Sequence, residues 1–205
     1  MKKFKLTSEF IVDISGVKLF RIKALIEFGN VKAGDLGGYI EKEENLSHMG
    51  DAWIYGDAQI SGNAQVFGNA WVSGNARVSG DTQVFGDAWV FGDAQVSGNA
   101  RVFGDAQVFG NARVFGNAWV SGDAWIYGDA QISGDKDYAY AHGFGSCNRT
   151  TTFFRLKDGD VGVRCGCFYG TLAQFRDKVC ETHGETKKAQ EYLMLADLME
   201  IRFKN

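Results

Sequence analysis

The chain has 205 residues, 45% of them hydrophobic, and a net charge of −3, which bounds it to one domain, or one domain with appendages, able to bury a real core. The mild acidity and the lack of a basic tract give no general electrostatic reason to hold nucleic acid or an anionic membrane. No apolar run approaches a membrane span and the start, Met1-Lys2-Lys3-Phe4-Lys5-Leu6, lacks a cleavable leader, so a cytoplasmic location is expected.

Residues 1 to 30 alternate apolar and polar, with Phe10, Val12 and Ile14 before Ser15-Gly16 and Val17 to Ile26 after it, which predicts a hairpin. The stretch from Val31 to Ile40 is glycine-rich, and Ile40 and Leu46 stand six apart. Residues 1–49 are read as a cap over the segment that follows. Between Gly50 and Ser133 one hexad, G-[DN]-A-x-[VI]-x, repeats fourteen times without a gap, Thr82 being the only break in the alanine column. Ala and Val/Ile are two apart, so on a strand both point to one face. The Gly-Asp/Asn pair suits a corner with positive φ. Each hexad is therefore a short strand plus a bend, and stacked hexads bury a continuous Ala and Val/Ile column. Proline is absent throughout, which suits a rod whose interior amides all donate to a neighbouring coil.

Beyond Ser133, residues 135–148 form an aromatic and glycine-rich passage with no clear period. Thr150 to Leu156 and Val161 to Phe168 are predicted strands joined by the turn signal Asp158-Gly159. Thr171 and Gln174 make a capping box for a helix whose Leu172, Phe175 and Val179 share a face, and Gly184 ends it. A second helix spans about Thr186 to Phe203, its apolar stripe broad enough to touch two surfaces. Residues 134–205 thus read as ββαα.

The repeat resembles the hexapeptide-repeat family, which implies a left-handed parallel β-helix with three hexads per triangular coil. Residues 26–55 also resemble the N-terminal part of bacterial hexapeptide-repeat proteins described only as transferases. Residues 138 to 200 are similar to uncharacterised phage and prophage proteins, through G-F-G-S-x-N-R, T-F-F-R-x-K-D-G and C-G-C-F-x-G-T; no activity comes with that likeness. The expected fold class is mainly β: a left-handed β-helix with an N-terminal β cap and a C-terminal ββαα appendage.

With eighteen residues per coil, outward positions sort into three faces. The first carries Trp53, Trp71, Trp89, Gln107 and Trp125, flanked by Tyr55, Ser73, Phe91, Phe109 and Tyr127. The second reads Gln59, Arg77, Gln95, Arg113, Gln131. The third reads Gln65, Gln83, Arg101, Trp119, with Phe67, Phe85 and Phe103 in column. A Trp strip either stabilises the stacked coils while partly covered by the chain's own tail and its helices, or is an interface, since Trp and Tyr concentrate at binding hot spots. A homo-oligomer is expected with Trp53, Trp71, Trp89 and Trp125, or Phe67, Phe85 and Phe103, at its seam; the family resemblance implies a trimer. Base or sugar stacking is the lesser alternative, because that face lacks interleaved basic residues.

Acyltransferases of the resembled family use a histidine near the coils and a loop interrupting the repeat. Here His48, His142 and His183 all lie outside the run, which has no insertion. No cofactor or metal is called for: Cys165 and Cys167, two apart on a predicted strand, read as core packing, and a C-x-C without a second pair is a weak metal signal. All four cysteines follow position 146 and fit reduced thiols. The best polar cluster follows a G-x-G: His142, Ser146, Asn148, Arg149 and Thr150 are candidate contacts for a small anionic, nucleotide-like ligand. The expected function is a non-enzymatic binding protein, phage- or prophage-associated, that sequesters such a ligand or a host protein on an oligomeric scaffold. An acyltransferase and a structural spacer are the alternatives.

Overall fold

A computed structural model describes residues 1–145 and 149–204. The hairpin pairs β1 (Phe4–Val12) with β2 (Lys18–Ala24), and β3 (Leu36–Ile40) pairs with β2. Fourteen two-residue strands follow, β4 (Trp53–Ile54) through β17 (Gln131–Ile132), one per hexad. Parallel pairing links residues eighteen apart, as Trp53 with Trp71, Gln59 with Arg77 and Gln65 with Gln83. The result is a parallel β-solenoid of about five turns with three sheets, one per face. The second-face sheet continues through β3, β2 and β1, so β1 is its outer edge.

Every repeat Ala and Val/Ile is fully buried, and so is Thr82, whose hydroxyl finds no partner among the described residues. The corner glycines hold φ between 62° and 78°. Glycine is required there twice over: at Gly98, a Cβ would also stand 2.9 Å from the backbone N and O of Gly116 in the next coil.

The ladder has a direction. Each coil's amides donate forward, as Trp53 N to Ala70 O (3.1 Å) and Tyr55 N to Val72 O (2.8 Å). The first coil is thereby left with open carbonyls and the last with open amides, and a buried open group is costly. At the N-terminal end Tyr39 N, Glu41 N and Ser47 N donate to Ala58 O, Ile60 O and Val66 O. Side chains complete the set: Lys3 Nζ donates to Gly50 O and Ala52 O, and Asn45 Nδ2 to Gly62 O and Ala64 O. Ile40 pairs with Ile60, and Leu46 bridges Val66, so the degenerate hexad read from the sequence is a real strand-and-bridge layer.

At the other end the caps are acceptors. Asp135 Oδ1 takes Trp119 N, the Tyr138 hydroxyl takes Ser121 N, Thr152 Oγ1 takes Trp125 N, and Asp137 Oδ2 takes Ser133 N and Gly134 N. Asp135 and Asp137 sit in a short 3-10 turn, and Tyr138 and Thr152 belong to the antiparallel sheet that follows it, of four strands where two were expected: β18 (Tyr138–Phe144), β19 (Arg149–Arg155), β20 (Val161–Cys165) and β21 (Phe168–Thr171). Within the passage with no clear period, Tyr138–Phe144 form strand β18, whose alternation is blurred because both faces of its N-terminal half meet other layers, Tyr138 in the rod's core and Ala139 under the helices. The predicted second strand breaks at Gly166, φ 57°, into β20 and β21. That break separates Cys165, half-buried, from Cys167, exposed in the turn, so the two do not share a strand face as expected.

Two helices, α1 (Leu172–His183) and α2 (Lys187–Phe203), cover the sheet, with the Thr171/Gln174 capping box in place and Thr186 capping α2. Strand alternation on β19 joins the layers: Phe153 packs with Phe175, Val179 and Met199 under the helices, while Phe154 and Tyr138 join the rod's core. The appendage is therefore the lid of the rod's last coil.

Candidate interaction groove on the rod

The first-face column falls in the expected register: Trp53, Trp71, Trp89, Gln107 and Trp125 pair in order. Its ends are covered and its middle is open. Trp53 is fully buried, with Phe4 and Phe28 edge-on to its ring at 6.3 and 5.4 Å. Trp125 lies under the guanidinium of Arg164 from β20, 5.6 Å from the ring centroid. Trp71 and Trp89 stack face to face at 5.2 Å and 8°, with Tyr55 edge-on to Trp71. Trp71 is half-buried and Trp89 is 42% exposed. They line a groove of about 520 Å³ together with Gly29, Asn30, Asp51, Asn69, Asp87, Asp105 and Gln107. The covering of Trp125 is done by the sheet, not by the helices.

The acidic rim of this groove was missed in the sequence. Corner residues stack at eighteen just as strand residues do, and Asn amides cross-link them: Asn63 to Asp81, Asn69 to Asp87, Asn75 to Asp93, Asn99 to Asn117 and Asn111 to Asp129. Along the first face the corner column reads Asp51, Asn69, Asp87, Asp105, Asp123. No asparagine precedes Asp105 or Asp123, so carboxylates stand in line about one coil apart, roughly 4.8 Å. Sorting the corner positions by the same period, as was done for the outward ones, would have found it.

Phe67, Phe85 and Phe103 stack at 4.8 and 5.0 Å with nearly parallel rings, so their faces are occupied within the rod and each is half-buried. At the C-terminal loop, Ser146 and Asn148 lie outside the described residues. His142 Nδ1 and Thr150 Oγ1 meet at 2.9 Å, with Asp123 4.0 Å from His142. Arg149 is exposed. The Gly145 amide donates to Glu191 Oε2 at 3.0 Å. The other histidines are also engaged. His48 accepts from Lys3 N and meets Glu43 at 2.7 Å; hydrogen bonds from Lys2 and then His48 hold the Glu43 carboxyl below its usual range. His183 stacks on Tyr192. Among the described residues no three His, Cys, Asp or Glu side chains converge as a metal site, and no helix is long and apolar enough to cross a membrane.

Fold and surface together define a capped parallel β-solenoid with exposed indoles on two faces, Trp89 on the first and Trp119 on the third. A family model described as a YdcK beta solenoid repeat matches residues 58–74, 70–86, 94–108 and 106–122. These matches all lie within the rod. No curated protein matches the chain.

Proposed function

We propose that this chain is a non-enzymatic scaffold that assembles with copies of itself through the first face of the rod. The observation that carries this reading is the open groove at Trp71 and Trp89 in a column whose two ends the chain covers itself. Apolar area removed from water there contributes about 25 cal/mol per Å², less the cost of immobilising the partners. The Phe67, Phe85, Phe103 column is the weaker seam, because each of its rings is half-buried, whereas Trp89 is 42% exposed. A trimer is the assembly implied by the hexapeptide resemblance, and a phage-borne scaffold with a host ligand or partner by the likeness of residues 138 to 200. A pure spacer leaves the groove unused, and for acyltransfer the three histidines are engaged elsewhere.

Native mass spectrometry tests the reading. Trp71→Arg with Trp89→Arg is expected to convert the wild-type assembly to a folded monomer; an unchanged assembly overturns it. Anion binding at His142, Arg149 and Thr150 is the second reading, favoured by an exposed Arg149 that pairs across the sheet with Phe144, which stands between two glycines of positive φ, Gly143 and Gly145. Asp123 and Glu191 act against it by charge. On that reading ATP binds in a calorimetric titration and Arg149→Ala abolishes the heat; absence of heat from the wild type removes it.

A further inference from the structure

We infer that the groove on the first face is filled by the second face of another copy, with Arg113 of one protomer seated between Asp105 and Asp123 of the next. This rests on the self-association proposed above and names its seam. The rod already uses the required contact internally. On the third face Arg101 and Trp119 pair one coil apart, with the guanidinium 4.9 Å from the indole centroid. Such a stack is favourable and strengthens as water leaves. The matching pair on the first face is Trp89 and Gln107. Among the described residues Trp71 is the aromatic ring stacked on Trp89, and no cation lies over the side toward Gln107 as Arg101 lies over Trp119 on the third face.

The corners beside these two pairs differ in the same sense. Asn99 and Asn117 flank Arg101 and Trp119, and bond to each other at 3.1 Å. Asp87, Asp105 and Asp123 flank the first-face column. Like charges placed one coil apart repel, and no metal geometry gathers them among the described residues. A line of carboxylates beside an open indole fits a planar, spread cation, which is a guanidinium.

The second face supplies one. Arg77 and Arg113 are both exposed, with Gln95 between them. Arg77 lies beside the hairpin tip at Asp13, Ile14 and Ser15. The Arg113 guanidinium makes no hydrogen bond, ion pair or ring contact with any described residue. Height then selects the seat. Copies in a closed ring around an axis parallel to the rods are related by rotation alone, so each residue keeps its level. Gln107 and Arg113 belong to consecutive hexads of one coil, so Arg113 arrives at the level where the Trp column is interrupted, just past Asp105 and before Asp123. The contact joins two different faces and closes into a ring rather than a fibre.

Sedimentation velocity of the full chain tests this. The wild type is expected to sediment as a closed assembly at low salt and to shift toward monomer as salt rises. Arg113→Asp and Asp105→Arg should each raise the concentration for half-assembly by at least about tenfold, with unchanged circular dichroism. Both changes in one chain should bring the assembly back. Asp105→Asn, which puts at this corner the amide that other corners carry, should weaken assembly and leave the fold intact. A wild type that is monomeric at every concentration and salt overturns both the seam and the self-association beneath it. Assembly that survives each single variant, or a double variant that stays monomeric, overturns the Arg113 seat alone. In that case, dissociation by Trp71→Arg with Trp89→Arg keeps the first face as seam with another occupant.

Discussion

The two ends of the rod solve opposite problems with opposite chemistry. A forward-donating ladder leaves carbonyls open at the N-terminal end, and the chain covers them with an ammonium and a carboxamide, from Lys3 and Asn45. It leaves amides open at the C-terminal end, where Asp135, Asp137, Thr152 and the Tyr138 hydroxyl accept. Both N-terminal donors, Lys3 and Asn45, are buried, whereas the C-terminal acceptors are mixed: Thr152 and Tyr138 are buried, Asp137 is partly buried and Asp135 exposed. The polarity of a parallel solenoid thus dictates which side chains can end it, and solvent access decides how much each is worth.

The harshest way to break this comparison is to remove the rod that both ends share. Val90→Asp puts an unpaired carboxylate in a fully buried column, which should cost more than about 4 kcal/mol and abolish the β spectrum. An unchanged melting curve would mean that Val90 does not face inward.

Between the ends, Asn45→Leu should cost more than Asp137→Ala. The first leaves the Gly62 and Ala64 carbonyls open in a dry layer, about 2 to 4 kcal/mol, while water replaces most of the second, about 1 kcal/mol. Chemical denaturation of both variants checks the order, and a reversal would locate the weaker end at the N-terminus.

Lys3 sharpens the contrast through pH. Burial, the larger effect, holds its ammonium down at about 8 from the usual 10.5, against the pull of Asp51. Folded chains therefore bind fewer protons than unfolded ones between those two values. The cost of this charge is full below about pH 8 and relieved as pH rises toward 10.5. The stability difference between wild type and Lys3→Met should move in the wild type's favour across that window, and a flat difference would show that the two carbonyl contacts fully offset burial.

Thr82→Ala repairs the alanine column and removes an unpartnered buried hydroxyl, so it should stabilise by about 1 kcal/mol in the same denaturation assay. Gln95→Asp, outward and exposed, should change stability by less than about 0.5 kcal/mol. A large loss there would mean that Gln95 does not point outward from the rod.

The rod was legible because its information is local and repeated. A hexad states its own strand, corner and inward pair, and eighteen-residue addition places Trp71 over Trp53 and Phe85 over Phe67 without coordinates. The helices were legible through Thr171, Gln174 and Gly184 for the same reason. Strand β18 was not, since its partners on both faces come from other layers. Nor was the split of Cys165 from Cys167, which turns on a single glycine's φ. For the candidate loop, the sequence brought His142, Arg149 and Thr150 together, but Asp123 and Glu191 arrive beside it from the rod and from α2.

What the sequence alone determined is therefore the period, the inward columns and the three unequal faces, all of which follow from spacing two and spacing eighteen. Only the tertiary structure decided which parts of a face stay open. Trp53 is covered by Phe4, 49 residues earlier in the chain, and Trp125 by Arg164, 39 residues later. Periodicity assigns Trp53, Trp71, Trp89 and Trp125 the same role. The caps set them apart because their contacts depend on where distant segments return, and no spacing within the repeat encodes that.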